Sequence, residues 1–198
     1  MIGDRGTNLK FPFIDYGIYY YTNGDIYAGY WVDDSFSGEG KYLFSNGERY
    51  EGLLSGGERD GQGKYYYLNG NVYEGQWQFN KRNGLGKMSS YANDEVYEGN
   101  WKDNKRHGQG KQSYSSMDKY VGTFEKDQRC GKGKMEFYAG GSMDGEWAND
   151  KLNGFGKMIY PNEDTYEGYW KDNKRNGKGL YLINNEGGKL QNYIQISI

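Results

Sequence analysis

The stretch Tyr97-Glu98-Gly99-Asn100-Trp101-Lys102-Asp103-Asn104-Lys105-Arg106-His107-Gly108-Gln109-Gly110-Lys111 is one copy of a repeat, and the chain is best read by laying the rest of it over these residues. A Gly-x-Gly pair recurs at Gly38/Gly40, Gly61/Gly63, Gly84/Gly86, Gly108/Gly110, Gly131/Gly133, Gly154/Gly156 and Gly177/Gly179, with successive copies 23 residues apart and once 24. Eleven residues before each pair stands an aromatic-Gly-aromatic triplet or a close variant of it: Tyr27-Gly29-Trp31, Tyr50-Gly52-Leu54, Tyr73-Gly75-Trp77, Tyr97-Gly99-Trp101, Tyr120-Gly122-Phe124, Met143-Gly145-Trp147 and Tyr166-Gly168-Trp170. Self-similarity at such a period marks a stacked array, in which each copy buries its apolar face only against its neighbours. The one extra residue falls in Tyr91-Ala92-Asn93-Asp94-Glu95, a turn, where insertions cost least.

Within a copy the residues alternate as in a strand, so that Tyr97, Gly99 and Trp101 share one face and Glu98 and Asn100 the other. A turn over Asp103-Asn104-Lys105-Arg106-His107 is expected to lead into a second strand from Gly108 to Tyr114. There the residues two and four after the last Gly are again large, as in Tyr42 and Phe44, Tyr65 and Tyr67, Met135 and Phe137, Met158 and Tyr160. Keeping them on the triplet's face constrains the connection between copies, since a one-residue slip exchanges the two faces. A three-residue loop such as Ser45-Asn46-Gly47, ending in Gly at the left-handed position, satisfies this, whereas a two-residue Asn-Gly turn does not. The glycines leave room for rings lying flat on the sheet, and the rings restore the stability that Gly loses in a strand. The expected fold is all-β: an elongated single-layer antiparallel sheet of consecutive β-hairpins, roughly 75 Å long at about 4.8 Å per strand.

The ends depart from the pattern. Subtracting one period from the first copy leaves only Gly6 and Gly17 in place, and residues 1–18 read as a degenerate N-terminal copy. Residues 19–187 hold the seven copies. Residues 188–198 read as a closing strand and C-terminal cap, with Leu190 to Ile194 in the triplet's place and Ile194, Ile196 and Ile198 alternating. Atypical terminal copies are what a stacked array needs for solubility.

Composition agrees and excludes several functions. Thirty-three Gly and 22 Tyr with 2 Pro among 198 residues is neither collagen, whose glycines recur every third residue, nor disorder, since 18% aromatic residues offer ample surface to bury. The 25 basic and 27 acidic residues nearly cancel, so no overall field recruits nucleic acid. The single cysteine, Cys130, forms no internal disulfide, and the N-terminus lacks a signal-peptide pattern, which makes the cytoplasm the expected compartment. No apolar run approaches the ~20 residues of a membrane-spanning helix.

The pattern Tyr-Glu-Gly-x-Trp, a turn, Gly-x-Gly-Lys, an aromatic and then Asn-Gly resembles the MORN repeat (membrane occupation and recognition nexus) over residues 19–187. The resemblance implies an array of hairpins with an aromatic-lined groove. It is similar to arrays in radial-spoke heads, junctional-membrane proteins and protist cytoskeletal scaffolds, which implies a cytoskeletal or ciliary setting. It also implies caution about chemistry, because such repeats accompany kinase or methyltransferase domains and no such domain is visible here.

No catalytic, cofactor or metal site is expected. His107 and Cys130 take the place that Asn83, Asn153 and Asn176 take in other copies, and a zinc site needs about four ligands. Gly-x-Gly-Lys lacks the following helix of a phosphate loop. Glu51, Glu74, Glu98, Asp144 and Glu167 alternate with Lys41, Lys64, Lys87, Lys111, Lys134 and Lys157 as a ladder on a solvated face.

Two surfaces remain as candidates. One is the aromatic face, Tyr27, Trp31, Tyr50, Tyr73, Trp77, Tyr97, Trp101, Tyr120, Phe124, Trp147, Tyr166 and Trp170, which a single layer is expected to leave partly exposed and so open to protein partners. The other is a basic edge of turn residues, Lys81, Arg82, Lys105, Arg106, Arg129, Lys151, Lys174 and Arg175, facing either acidic proteins or anionic lipid headgroups or simply solvent. The expected function is a non-enzymatic scaffold for protein partners in a multi-subunit assembly. The alternatives are a peripheral membrane adaptor and an accessory subunit of a separate enzyme. Oligomeric state is left open.

Overall fold

A computed structural model describes residues 14–184 and 190–197 of the chain. They form one antiparallel sheet of sixteen strands whose spatial order is their order in the sequence. Seven-residue strands carrying the triplets, such as Val96–Lys102, alternate with nine-residue strands carrying the Gly-x-Gly pairs, such as Lys105–Ser113. Every connection among the described residues is therefore a hairpin, and the all-β single-layer array is what the repeat predicts. Strand Ile14–Tyr20 runs across the boundary at residue 18 and pairs with Ile26–Val32. Leu190–Ser197 pairs with Lys174–Asn184 at the other end. The earlier part of the N-terminal copy, residues 1–13, lies outside the described residues, as does Ile198.

The connection between copies has three residues, and four at Tyr91 to Asp94. Phe44 N donates to Glu48 O at 2.9 Å, Gly47 N donates to Phe44 O at 2.9 Å, and Gly47 takes φ +93°, a conformation open to Gly at little cost. The resulting register places Tyr42 opposite Tyr50, both on the triplet's face. Successive loops are then tied together. Asp25 accepts hydrogen bonds from Ser45 N at 2.7 Å and Tyr42 Oη at 2.9 Å, and Asp164 repeats this with Asn184 N and Tyr181 Oη. These bonds, led by the one from the backbone amide, hold both carboxyls below the usual range.

Within a copy the turn is shorter than the sequence suggests. Only Asp103 and Asn104 turn, both with positive φ (48° and 67°), and Lys105, Arg106 and His107 already belong to the second strand. Such a turn matches the right-handed twist of the strands it joins. The additional length is absorbed further along. Gly99 pairs with Gly110 but Trp101 with Arg106, so a bulge lies between, with Gly108 at φ +64°. Bulges of this kind bend the longer strand and raise the local twist. His107 and Cys130 thus occupy bulged strand positions rather than turns.

Candidate functional site

The triplet aromatics form the core of the sheet. Tyr97 lies flat over the glycine pair Gly99 and Gly110, where a Cβ would stand 2.7 and 2.5 Å from its hydroxyl, and the same hydroxyl donates to Asn100 O at 2.8 Å. Trp101 stands on edge between Tyr97, with ring centroids 5.1 Å apart, and Tyr73 of the preceding copy at 5.4 Å. Its indole nitrogen donates to Gly86 O at 3.1 Å. The arrangement repeats, and an unbroken series of edge-to-face contacts runs through Tyr50, Trp77, Tyr73, Trp101, Tyr97, Phe124, Tyr120 and Trp147. Such pairs add about 0.5–1.5 kcal/mol each beyond the area they bury.

This corrects the expectation of a partly exposed aromatic face. Tyr27, Tyr50, Tyr73, Trp77, Tyr97, Trp101, Tyr120, Phe124, Trp147, Tyr166 and Trp170 are all buried, and only Trp31 is partly exposed. The cover comes from three sources: the glycine floor, the ring of the next copy, and an arginine.

That arginine belongs to the residues assigned to the basic edge. Because the turn ends at Asn104, Lys105 and Arg106 are adjacent strand residues and point to opposite sides of the sheet. The lysines stay at the rim, where Lys81 meets Asp103 at 3.0 Å and Lys151 meets Asp172 at 3.1 Å. The arginines turn inward. Arg82 lies 4.5 Å over Trp101, Arg106 5.2 Å over Phe124, Arg129 4.6 Å over Trp147, and Arg175 5.5 Å from Tyr166. Arg59, which the sequence reading passed over, lies 4.6 Å over Trp77. Cation–π contacts of this kind contribute roughly 0.5–2 kcal/mol. The turn of the following copy clamps four of the guanidiniums, those of Arg59, Arg82, Arg106 and Arg129: Asp127 Oδ1 accepts from Arg106 Nε at 3.3 Å and Asp127 O from its Nη2 at 2.6 Å. The eight predicted edge residues therefore divide into rim lysines and groove arginines. The detectable signal was an Arg at one register position in five copies, always directly after another polar residue.

Burial pushes the tyrosine hydroxyls up, Tyr27 and Tyr97 to about 12, with Arg106 opposing the shift at Tyr97. Tyr50, Tyr73 and Tyr120 are raised for the same reason. A group that ionises near pH ~10 when unfolded and later when folded stabilises the fold fully below ~10, and that contribution is lost as pH rises toward about 12. We expect alkaline titration to show an early phenolate class from surface tyrosines and a late class whose absorbance change coincides with loss of the β-sheet circular dichroism. Ionisation of all tyrosines in one non-cooperative step before any unfolding would contradict this.

Cys130 is raised by burial, with Glu125 adding to the effect, so its thiol is held from the reactive thiolate. Among the described residues no three His, Cys, Asp or Glu side chains are grouped to hold a metal ion.

A sheet assembled from copies of one hairpin, each covering the rings of its neighbour, defines an extended repeat protein in which the array is the fold. The sequence model of the MORN repeat matches residues 27–49, 50–72, 73–94, 97–116, 120–142, 144–165 and 166–187, and the chain belongs to that family. MORN arrays are scaffolds for interaction with proteins or membranes. No curated protein matches the chain in sequence. Among solved structures it is similar to the TCP domain of SAS-4 (dCPAP) of Drosophila melanogaster in complex with a proline-rich motif of Ana2 (dSTIL), at 13% identity, covering 83% of this chain and 94% of that one with a TM-score of 0.48. It is also similar to a catalytically inactive virginiamycin B lyase from Staphylococcus aureus with quinupristin, at 9% identity, covering 94% and 70% with a TM-score of 0.20. Likenesses so distant carry no functional argument.

Proposed function

We propose that this chain is a non-enzymatic scaffold that holds partner proteins in a multi-subunit assembly, in a cytoskeletal or ciliary setting. The observation that carries the reading is the division of the surface. The repeated rings and arginines are consumed in joining copy to copy, while large apolar side chains stand exposed on the opposite face at the start of the array. Tyr16, Ile18 and Tyr20 are 64%, 58% and 70% exposed, and Tyr30 pairs with Tyr16 on the same face. Contiguous exposed apolar surface marks protein interaction sites. The membrane alternative gains less support, because the arginines of the basic edge lie in the groove and two of its lysines are paired with aspartates. The cytoskeletal or ciliary setting rests on family resemblance alone.

The test is native affinity capture of the tagged chain from its own cells, with the bound proteins identified, alongside co-sedimentation with phosphatidylserine vesicles. A defined set of proteins that remain in the detergent-insoluble cytoskeletal fraction, and that the variant Tyr16→Ser/Ile18→Ser/Tyr20→Ser releases, is the expected result. A monodisperse monomer without partners, or salt-sensitive vesicle binding alone, would overturn it.

A further inference from the structure

The sixth copy departs from the others in two coupled positions. In four copies a guanidinium covers the ring of the following copy and donates to the carbonyl of the following turn: Arg59 to Asn80 O at 3.2 Å, Arg82 to Asn104 O at 2.8 Å, Arg106 to Asp127 O at 2.6 Å, and Arg129 to Asp150 O at 2.7 Å. The corresponding residue of the sixth copy is Leu152. It is fully buried, and its methyl groups lie over Gly145 and Gly156, where a tyrosine ring lies in the other copies, because Met143 stands in that tyrosine's place. Leu152 thus does the work of the missing ring, and the sixth copy sends no cation over Trp170.

The receiving side is unchanged. Leu152 N donates to Asn173 Oδ1 at 2.7 Å and Asn173 N donates to Leu152 O at 3.0 Å, the same two bonds that join Arg82 to Asn104. Where a guanidinium lies in four other copies there is an open pit of about 520 Å³ between Met143, Met158, Tyr160, Trp170, Asn173, Lys174 and Arg175.

We propose that this pit receives an arginine side chain from a partner protein, its guanidinium lying over Trp170 and donating to Asn173 O as Arg129 does on Trp147 and Asp150. The chain itself shows what the pit accepts, since four other copies hold that group against an aromatic ring and the carbonyl of the next turn. Two cations, Lys174 and Arg175, line the pit already; Arg82 and Arg106 likewise line one pit together further up the array, there with Glu95 and Asp127 beside them. An aliphatic side chain would leave the carbonyl unmet, and a carboxylate would face it with like charge. The inference names a side-chain class for the scaffold reading and rests on it.

The probe is the peptide acetyl-Gly-Arg-Gly-amide, titrated into the full chain while the Trp170 indole N–H resonance is followed by NMR, with the citrulline peptide as the uncharged isostere. We expect a saturable shift with arginine and about tenfold weaker binding with citrulline. The variant Met143→Tyr/Leu152→Arg restores the residues of the other copies, fills the pit from within, and is expected to abolish the response. Equal binding of the citrulline peptide, or an undiminished response in the folded double variant, would overturn the proposal. The citrulline comparison decides the matter on the unaltered chain even if the variant does not fold. If the arginine peptide fails to bind while the chain still retains its partners in native capture, the arginine site falls and the scaffold reading stands. Loss of both would bring down the two together.

Discussion

Gly86→Ala is expected to cost about 2–5 kcal/mol, the sum of overpacking and an unmet buried hydroxyl. A methyl group there would stand 2.5 Å from Cζ and 2.6 Å from Cε2 of Tyr73 and closer still to its hydroxyl. The ring has nowhere to go, because Trp77 and Trp101 stand on edge against it at 5.1 and 5.4 Å. Lifting it would break the bond from its hydroxyl to Gln76 O, 2.9 Å long. Gly177→Ala is the control: nothing lies within 4 Å of the added methyl, and only its φ of +71° penalises the change, by roughly 1–2 kcal/mol. Urea unfolding followed by tryptophan fluorescence separates the two variants. Equal losses would mean that the glycines serve backbone conformation and not the seating of rings.

Trp101→Ala carries the second large effect, about 3–5 kcal/mol for truncation of a buried aromatic. The change removes two edge-to-face contacts, the indole bond to Gly86 O, and the ring under Arg82. Since each copy contacts mainly its neighbours, the damage should stay local. Limited proteolysis is expected to open the chain first at the loop holding Tyr91, which is 79% exposed, while the flanking copies keep their amide protection in hydrogen exchange. A uniform loss of protection from end to end would show instead that the sheet unfolds as one unit.

Much of this was legible in the sequence. Copy number, the face shared by Tyr97 and Trp101, and the three-residue loop at Ser45-Asn46-Gly47 all follow from periodicity and from the need to keep Tyr42 and Tyr50 on one side. The two-residue turn was not legible, because Phe79-Asn80 and Lys126-Asp127 carry little turn signature, and the polar run Lys105-Arg106-His107 looks like loop. That misplacement put Arg82, Arg106, Arg129 and Arg175 on the rim. The coupled exchange of Met143 and Leu152 was visible as two separate departures. Only packing shows that one compensates the other.

The sequence by itself determined the repeat, the hairpin, and the side of the sheet on which the triplet side chains lie, since these depend on residues a few positions apart and on the two-residue period of a strand. The tertiary structure decided which of those side chains reach solvent. Tyr73 is covered by Arg82 from the longer strand of its own copy and by Trp101 from the next hairpin, and no single copy of the repeat contains the contact with Trp101. Burial in a one-layer sheet is a property of adjacent copies. It turned the aromatic face from an expected binding surface into the core, and it left the sixth copy, with Leu152 where five other copies carry an arginine, with an open pit beside Trp170.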